Sequence, residues 1–259
     1  MSQRTAIVTG SSSGMGAATA ILLAKRGWNV TVNAVRSLER AEAVAKQCID
    51  AGGRAIVAAG DVSEDADCRR IVSETTKAFG RLDALVNNAG ATKFCALSNL
   101  DGLTSEDFQR LTAVNVAGPF MMARAAAPAL RQSGRGAIVN VSSNAGLTGF
   151  GSSIAYAASK AALNTLTLSL ARVLAPEIRV NAVAPGFSIT PWHGKGMSSD
   201  RIGQITDHFR ATVPLKRDTT AEDIADTILC LIEGASGVTG QIIVVDSGSH
   251  LHVNAPPPR

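Results

Sequence analysis

The sequence predicts an α/β fold, a single doubly wound domain built on a seven-stranded parallel sheet with helices on both faces. Three observations predict it. Strand-like and helix-like stretches alternate from end to end, which implies strand–helix–strand units with right-handed crossovers. Ala, Val, Ile and Leu dominate while aromatics make up only 4%, the palette of buried parallel strands. With 46% hydrophobic and 18% charged residues, 259 residues can close a sizeable core. No internal repeat or linker is visible, so residues 1–259 read as one domain.

The elements follow in order. Thr5–Thr9 is a short β-rich run, then come a Gly-rich turn and a helix over Gly14–Arg26. Asn29–Asn33 is the second strand, and the helix Leu38–Ala51 stops at Gly52-Gly53. Arg54–Ala59, a helix over Glu64–Phe79 and the strand Ala84–Asn87 follow. Two helical segments, about Ser105–Val116 and Phe120–Ser133, are expected to part near Gly118-Pro119. Ala137–Val141 is the fifth strand, Ala155–Leu174 a long helix closed by Pro176, and Ile178–Ala184 the sixth strand. A helix around Ala221–Leu231 and the strand Gln241–Val245 complete the pattern, and the tail Ala255–Arg259 is expected to be disordered.

Composition narrows the function classes. The formal net charge is +4, but the bases are spread out, with Arg131 and Arg135 the nearest thing to a cluster, so no nucleic-acid partner is expected. Cys48, Cys68, Cys95 and Cys230 lie far apart and form neither a metal spacing nor a disulfide framework. No apolar run reaches the roughly 18 residues of a membrane span. The N-terminus enters the first strand without a signal segment, so a cytoplasmic protein with no membrane partner is expected.

Chemistry-bearing motifs fall just after strands one, four, five and six, at the carboxyl end of the sheet, where such folds bind ligands. After the first strand stands Thr9-Gly10-Ser11-Ser12-Ser13-Gly14-Met15-Gly16. Glycines let the backbone approach a pyrophosphate, and the helix opening there offers free N–H groups and its positive dipole end. An acid at the end of the second strand would accept a ribose 2′-hydroxyl; here Asn33 is followed by Ala34-Val35-Arg36-Ser37. Arg36 and Ser37 suit a 2′-phosphate, which favours NADP(H) over NAD(H). Asp61-Val62 stands where an adenine edge would lie, though an acid at a helix start serves equally well. Asn87-Asn88-Ala89-Gly90 follows strand four.

Tyr156 is the only tyrosine, and Lys160 lies four residues later on the same helix face. A free phenol has a pKa of about 10, and a nearby ammonium lowers it, so the pair is suited to acid–base work. Ser142 or Ser143, just after strand five, offers a hydroxyl to a carbonyl oxygen that gains charge; alternation along the strand leaves both open. Asn115 sits inside a helical stretch against its propensity, which points to another role.

In this order and register, the glycine turn, Asn-Asn-Ala-Gly, the lone Asn115, Ser-Ser before Tyr-x-x-x-Lys, and Pro185-Gly186 resemble the short-chain dehydrogenase/reductase family. The resemblance spans Thr5 to about Gly248 and implies a Rossmann fold. It implies a catalytic tetrad of Asn115, Ser143, Tyr156 and Lys160, with Ser143 rather than Ser142 as the serine. By the same likeness Tyr156 transfers the proton, Lys160 lowers its pKa and holds the nicotinamide ribose, and Asn115 holds a relay water. Gly10, Ser12, Ser13, Gly14, Met15, Gly16, Asn33, Arg36, Ser37, Asp61, Val62, Asn88, Ala89, Gly90, Pro185, Gly186 and Thr190 would frame the cofactor, with Val183 beside the nicotinamide.

The family implies hydride transfer to or from a small carbonyl or alcohol, and a homotetramer with interfaces on the helices Phe120–Ser133 and Ala155–Leu174. The sequence is similar to 3-oxoacyl-carrier-protein reductases and to bacterial sugar or alcohol dehydrogenases. It departs from the former at Gly134 and Glu177, where carrier-docking bases are expected, although Arg131, Arg135 and Arg172 lie close by. It also departs at Ser13, often basic in NADP-dependent relatives, and at Asp246-Ser247-Gly248, where Asp-Gly-Gly is expected. Residues 187–212 are expected to form a substrate lid, with Phe187, Trp192, His193, Met197 and Phe209 as candidates to line it and Phe150 and Ser143 nearby. The reading from another class is a non-catalytic dinucleotide sensor, which has no need of an intact tetrad.

Overall fold

The structure is a computed structural model that describes residues 3–187, 203, 206–207 and 210–251. Thr190, Trp192, His193, Met197, Phe209 and the tail Ala255–Arg259 lie outside the described residues. The strands are β1 (Thr5–Val8), β2 (Asn29–Ala34), β3 (Arg54–Ala59), β4 (Ala84–Asn87), β5 (Gly136–Val141), β6 (Ile178–Pro185) and β7 (Ile242–Val245). All pair in parallel in the order β3-β2-β1-β4-β5-β6-β7. Strand order reverses between β1 and β4, and that crevice is where an open parallel sheet takes its ligand.

The inner strands are buried on both faces while β3 and β7 at the edges are mostly half-buried, and alternate residues serve different layers. Ala6 and Val8 pack with Leu23, Trp28 and Ile228 on one face, where helices α1 (Gly14–Lys25) and α2 (Leu38–Asp50) lie. Ile7 packs with Ile71, Met122, Leu130 and Leu170 on the other, under α3 (Asp65–Phe79), with α4 (Ser105–Thr112) beyond it in the chain. The remaining helices are α5 (Gly118–Gln132), the short α6 (Ala145–Thr148), α7 (Ile154–Leu174) and α8 (Ala221–Leu229).

The predicted break near Gly118-Pro119 does not occur. A π-helical segment, Ala113–Ala117, runs directly into α5, with Pro119 in the first turn of that helix. A proline is tolerated in a first helical turn because the N–H it lacks is not needed there. Gly118 packs tightly, since a Cβ there would meet Val62 at 3.0 Å. A second π segment, Cys230–Gly234, extends α8, and Arg179 caps its end by donating to the carbonyls of Leu231, Ile232 and Ala235.

Candidate active site

The glycine turn is a backbone device held rigid by side chains. Gly10 and Gly14 adopt φ of +60° and +58°, a region that disfavours side chains. A Cβ on Gly10 would stand 2.8 Å from the Ala89 Cα, so β1 and the β4 loop meet there backbone to backbone. Asn88 braces the turn by donating to the Thr9 and Gly10 carbonyls at 2.9 and 3.0 Å. The Thr9 hydroxyl in turn accepts from the backbone N–H of Asn88 and Ala89. Asn33 is buried and fully engaged: Oδ1 accepts from Gly10 N, and Nδ2 donates to the carbonyls of Ala58 and Gly60. It enters the site as a strut rather than as a hand for a ligand.

What this bracing leaves free is the start of α1. Ser13 is its N-cap but makes no capping bond, and the first turn carries no acid. The leading N–H groups therefore face outward with the positive end of the helix dipole, beside half-buried Ser12, Ser13, Gly14 and Met15. That donor set fits a pyrophosphate.

At the far end of β2, Arg36 is exposed and has no ion-pair partner among the described residues. Ser37 begins α2 without capping it, and its hydroxyl accepts instead from Arg40, a cation that the sequence reading did not single out. Asp61 closes a turn: its Oδ1 accepts from the backbone N–H and hydroxyl of Ser63, at 2.9 and 2.7 Å. Val62 is buried beneath Gly118.

The reacting groups stand on β5 and α7. The Ser143 hydroxyl accepts from Ala145 N at 3.2 Å and faces the Tyr156 phenol, whose ionised form it favours, whereas Ser142 turns into the protein and donates to Asn164 Oδ1 at 2.6 Å. The alternation ambiguity thus resolves with Ser143 facing the tyrosine. Lys160 is buried, and its ammonium donates to the Val141 carbonyl at 2.8 Å and lies 5.8 Å from the Tyr156 ring centre. Asn115, fully buried in the π segment, accepts from Ala91 N at 2.8 Å and donates to Ala91 O and the Ser159 hydroxyl, both at 2.9 Å. It therefore ties the β4 loop to the helix that bears Tyr156 and Lys160. π segments recur at functional sites because they turn a side chain out of helical register.

The electrostatics correct one expectation. Burial pushes the Tyr156 phenol up to about 12, partly offset by the Ser143 hydroxyl, and pushes the Lys160 ammonium down to about 8. The lysine does not pull the phenol below its ordinary value. Its charge is directed at the Val141 carbonyl, and desolvation penalises the charged form of each group.

Residues 10–250 match a family model described as enoyl-(acyl carrier protein) reductase. The chain belongs to the short-chain dehydrogenase/reductase family. It is 44% identical over 246 residues to a protein named ketoacyl reductase 2 of the granaticin polyketide synthase from Streptomyces violaceoruber, covering 95% of this chain and 96% of that one. It is 34% identical over 250 residues to the 3-oxoacyl-[acyl-carrier-protein] reductase of Staphylococcus aureus, covering 96% and 98%. A short-chain dehydrogenase/reductase structure from Burkholderia xenovorans superposes with a TM-score of 0.90 at 41% identity, over 97% and 99% of the two chains. Levodione reductase does so with 0.90 at 29% identity, over 98% and 100%. The protein is accordingly an oxidoreductase of a family that uses NAD(P)(H) and includes ketoacyl reductases. No described helix is long and apolar enough to cross a membrane.

The dehydrogenase/reductase fold closes its mouth with β6 and β7. Pro185 ends β6, and its carbonyl accepts from Asn144 N. Gly186 presses so closely on Asp246 that no side chain would fit. Phe187 follows, half-buried. Ser247, where glycine was expected, takes φ +55° and anchors its hydroxyl to Thr219 at 2.9 Å. That buried hydrogen bond offsets the strain a side chain suffers there.

Phe150 is exposed and, with Phe94, Cys95 and Leu97, lines an open cleft of about 610 Å³. The cleft abuts the active site: a Cβ on Gly151 would lie 3.4 Å from the Tyr156 ring. The sequence reading passed over Phe94 and Leu97, since two apolar residues in a loop carry no periodic signal.

Proposed function

We propose that the protein is an NADP(H)-dependent reductase of 3-oxoacyl-type carbonyl compounds, working in the cytoplasm as a homotetramer, with Tyr156 as its general acid. The observation that carries this reading is the line of Ser143, Tyr156 and Lys160 at the mouth of the sheet, beside a glycine turn suited to a pyrophosphate. When bound, the nicotinamide supplies the hydride. Tyr156 holds its proton at neutral pH, since burial raises its pKa to about 12, and so is ready to give it to a carbonyl oxygen that gains charge. Ser143 donates a hydrogen bond to the same oxygen. Lys160 adds positive charge below a pH of about 8.

Arg36, Ser37 and Arg40, with no acid at the end of β2, favour the 2′-phosphate and hence NADP(H) over NAD(H). The cleft beside Tyr156 favours an apolar substrate. Its side chains are mostly apolar, through Phe94, Leu97 and Phe150, and the Ser152 hydroxyl is already bonded to Thr92 at 2.6 Å. The two named ketoacyl reductases among the relatives point the same way. Exposed Phe120 on α5, with Leu168 and Val173 on α7, suits the helix faces on which the tetramer is expected. An intact tetrad argues against a non-catalytic sensor.

The test is the loss of NADPH absorbance, with NADH in parallel, across oxoacyl thioesters, keto sugars, aldehydes, quinones and keto steroids, with Tyr156→Phe as control. Turnover of oxoacyl thioesters with NADPH, abolished in the control, is expected. Tight NADPH binding without turnover of any class would favour the sensor.

A further inference from the structure

The catalytic stripe on α7 is longer than Tyr-x-x-x-Lys. Tyr156, Lys160 and Asn164 are spaced i, i+4, i+8 and share one helix face, and Asn164 is buried. Its side chain grips both ends of the segment that carries Ser143. Oδ1 accepts from the Ser142 hydroxyl at 2.6 Å, and Nδ2 donates to the Gly146 carbonyl at 3.3 Å. Between those points the segment lies flush on the helix: a Cβ on Gly146 would come within 2.6 Å of the Lys160 carbonyl carbon. Ser142 also reaches the Lys160 carbonyl at 3.3 Å.

We propose that Asn164 is a positioning residue, which clamps the segment Ser142–Gly146 to α7 and thereby holds the Ser143 hydroxyl on the Tyr156 phenol. Asn164 touches neither phenol nor substrate and acts through Ser142 and Gly146. Asn164 links the two ends of the segment Ser142–Gly146, whose second residue, Ser143, faces Tyr156. The inference rests on the reading of Tyr156 as proton donor.

The test replaces Asn164 with leucine, of similar volume, and compares it with Ser142→Ala and the double variant. Misplacing Ser143 lowers kcat by ten- to a hundredfold, on the order expected for a small displacement in an active site. KM and the dissociation constant of NADPH stay within about twofold. Alcohol oxidation, which needs the ionised phenol, rises at higher pH than in the wild type, because the phenol loses the hydroxyl that eases its ionisation. The double variant is no worse than the singles, since all three break one clamp.

Asn164→Asp, which keeps the acceptor for Ser142 but loses the donor to Gly146, falls between wild type and the leucine variant in kcat and provides the comparison if the leucine variant fails to fold. Wild-type kcat and pH profile in Asn164→Leu and Ser142→Ala would overturn the clamp, as would losses that multiply in the double variant. Failure of the underlying reading looks different, with undiminished turnover in Tyr156→Phe itself.

Discussion

The mouth of the sheet after β1 and β4 is built of backbone, whereas the mouth after β5 is built of side chains. In the first, Thr9, Asn33 and Asn88 direct their polar atoms inward at the chain, so that the N–H groups opening α1 face outward. In the second the Val141 carbonyl receives Lys160, and Asn164 and Gly146 seat the Ser143 segment on α7, while hydroxyls face the reaction. A diphosphate is bound by many weak donors in a fixed arc, which the main chain supplies well. A proton transfer needs one group of the right acidity at one point, which only side chains offer. The two regions should therefore fail differently when altered.

Among the supporting residues the sharpest break is expected at Ser143. Ser143→Ala removes one donor from the developing oxyanion and should lower kcat by about 10²–10³. NADPH affinity, read by fluorescence titration, should stay at the wild-type value. A parallel loss of affinity would blur the division between the two mouths.

Gly16→Ala should do the reverse. The new Cβ collides with the Asn88 amide and also meets Gly10 O and Ser11 Cα, both at 2.9 Å, so the turn must open. Nucleotide affinity should fall by roughly tenfold or more, with stability lower by about 1–3 kcal/mol, as for other overpacked sites. Trimming Asn88 should not restore it, because the two backbone contacts remain. Rescue by Asn88→Gly would mean that the turn is less rigid than its bracing implies.

A pH profile sharpens the comparison on the catalytic side. Lys160 is charged below about 8 and neutral above it, because burial lowers its pKa. Carbonyl reduction, measured as kcat/KM, should fall as pH rises through 8, by about tenfold per unit beyond it. The Tyr156 phenol keeps its proton to about 12 and adds no limb in that range. A profile flat from pH 7 to 10 would remove Lys160 from the mechanism.

The smallest effect belongs to Ser247→Gly. The change relieves a side chain at φ +55° and gives up the hydrogen bond to Thr219. Each is worth about 1 kcal/mol, so the melting temperature should move by only a few degrees.

Much of the backbone mouth was legible in the sequence, since glycines at 10, 14 and 16 after a β-rich run announce a turn that needs positive φ and close approach. Tyr156 and Lys160 were legible for a similar reason, because helical spacing is local. Their supports were not. Asn33 reaches back to Gly10, Asn88 to Thr9 and Ser142 forward to Asn164, across separations of 23, 79 and 22 residues that leave no local pattern. Arg40 reads in the sequence as an ordinary helix cation until its bond to Ser37 draws it to the start of α2. The unbroken passage through Gly118-Pro119 depended on a π segment, which the same residues would not advertise in isolation. The acidity of Tyr156 was misjudged because spacing reveals a neighbour but not how far water is excluded from it.

The most direct test of the division between a binding mouth and a reacting mouth is a single-turnover measurement on Tyr156→Phe with NADPH already bound. The account predicts NADPH affinity equal to that of the wild type and hydride transfer slower by about 10²–10⁴. Transfer at the wild-type rate from a fully bound nucleotide would contradict it.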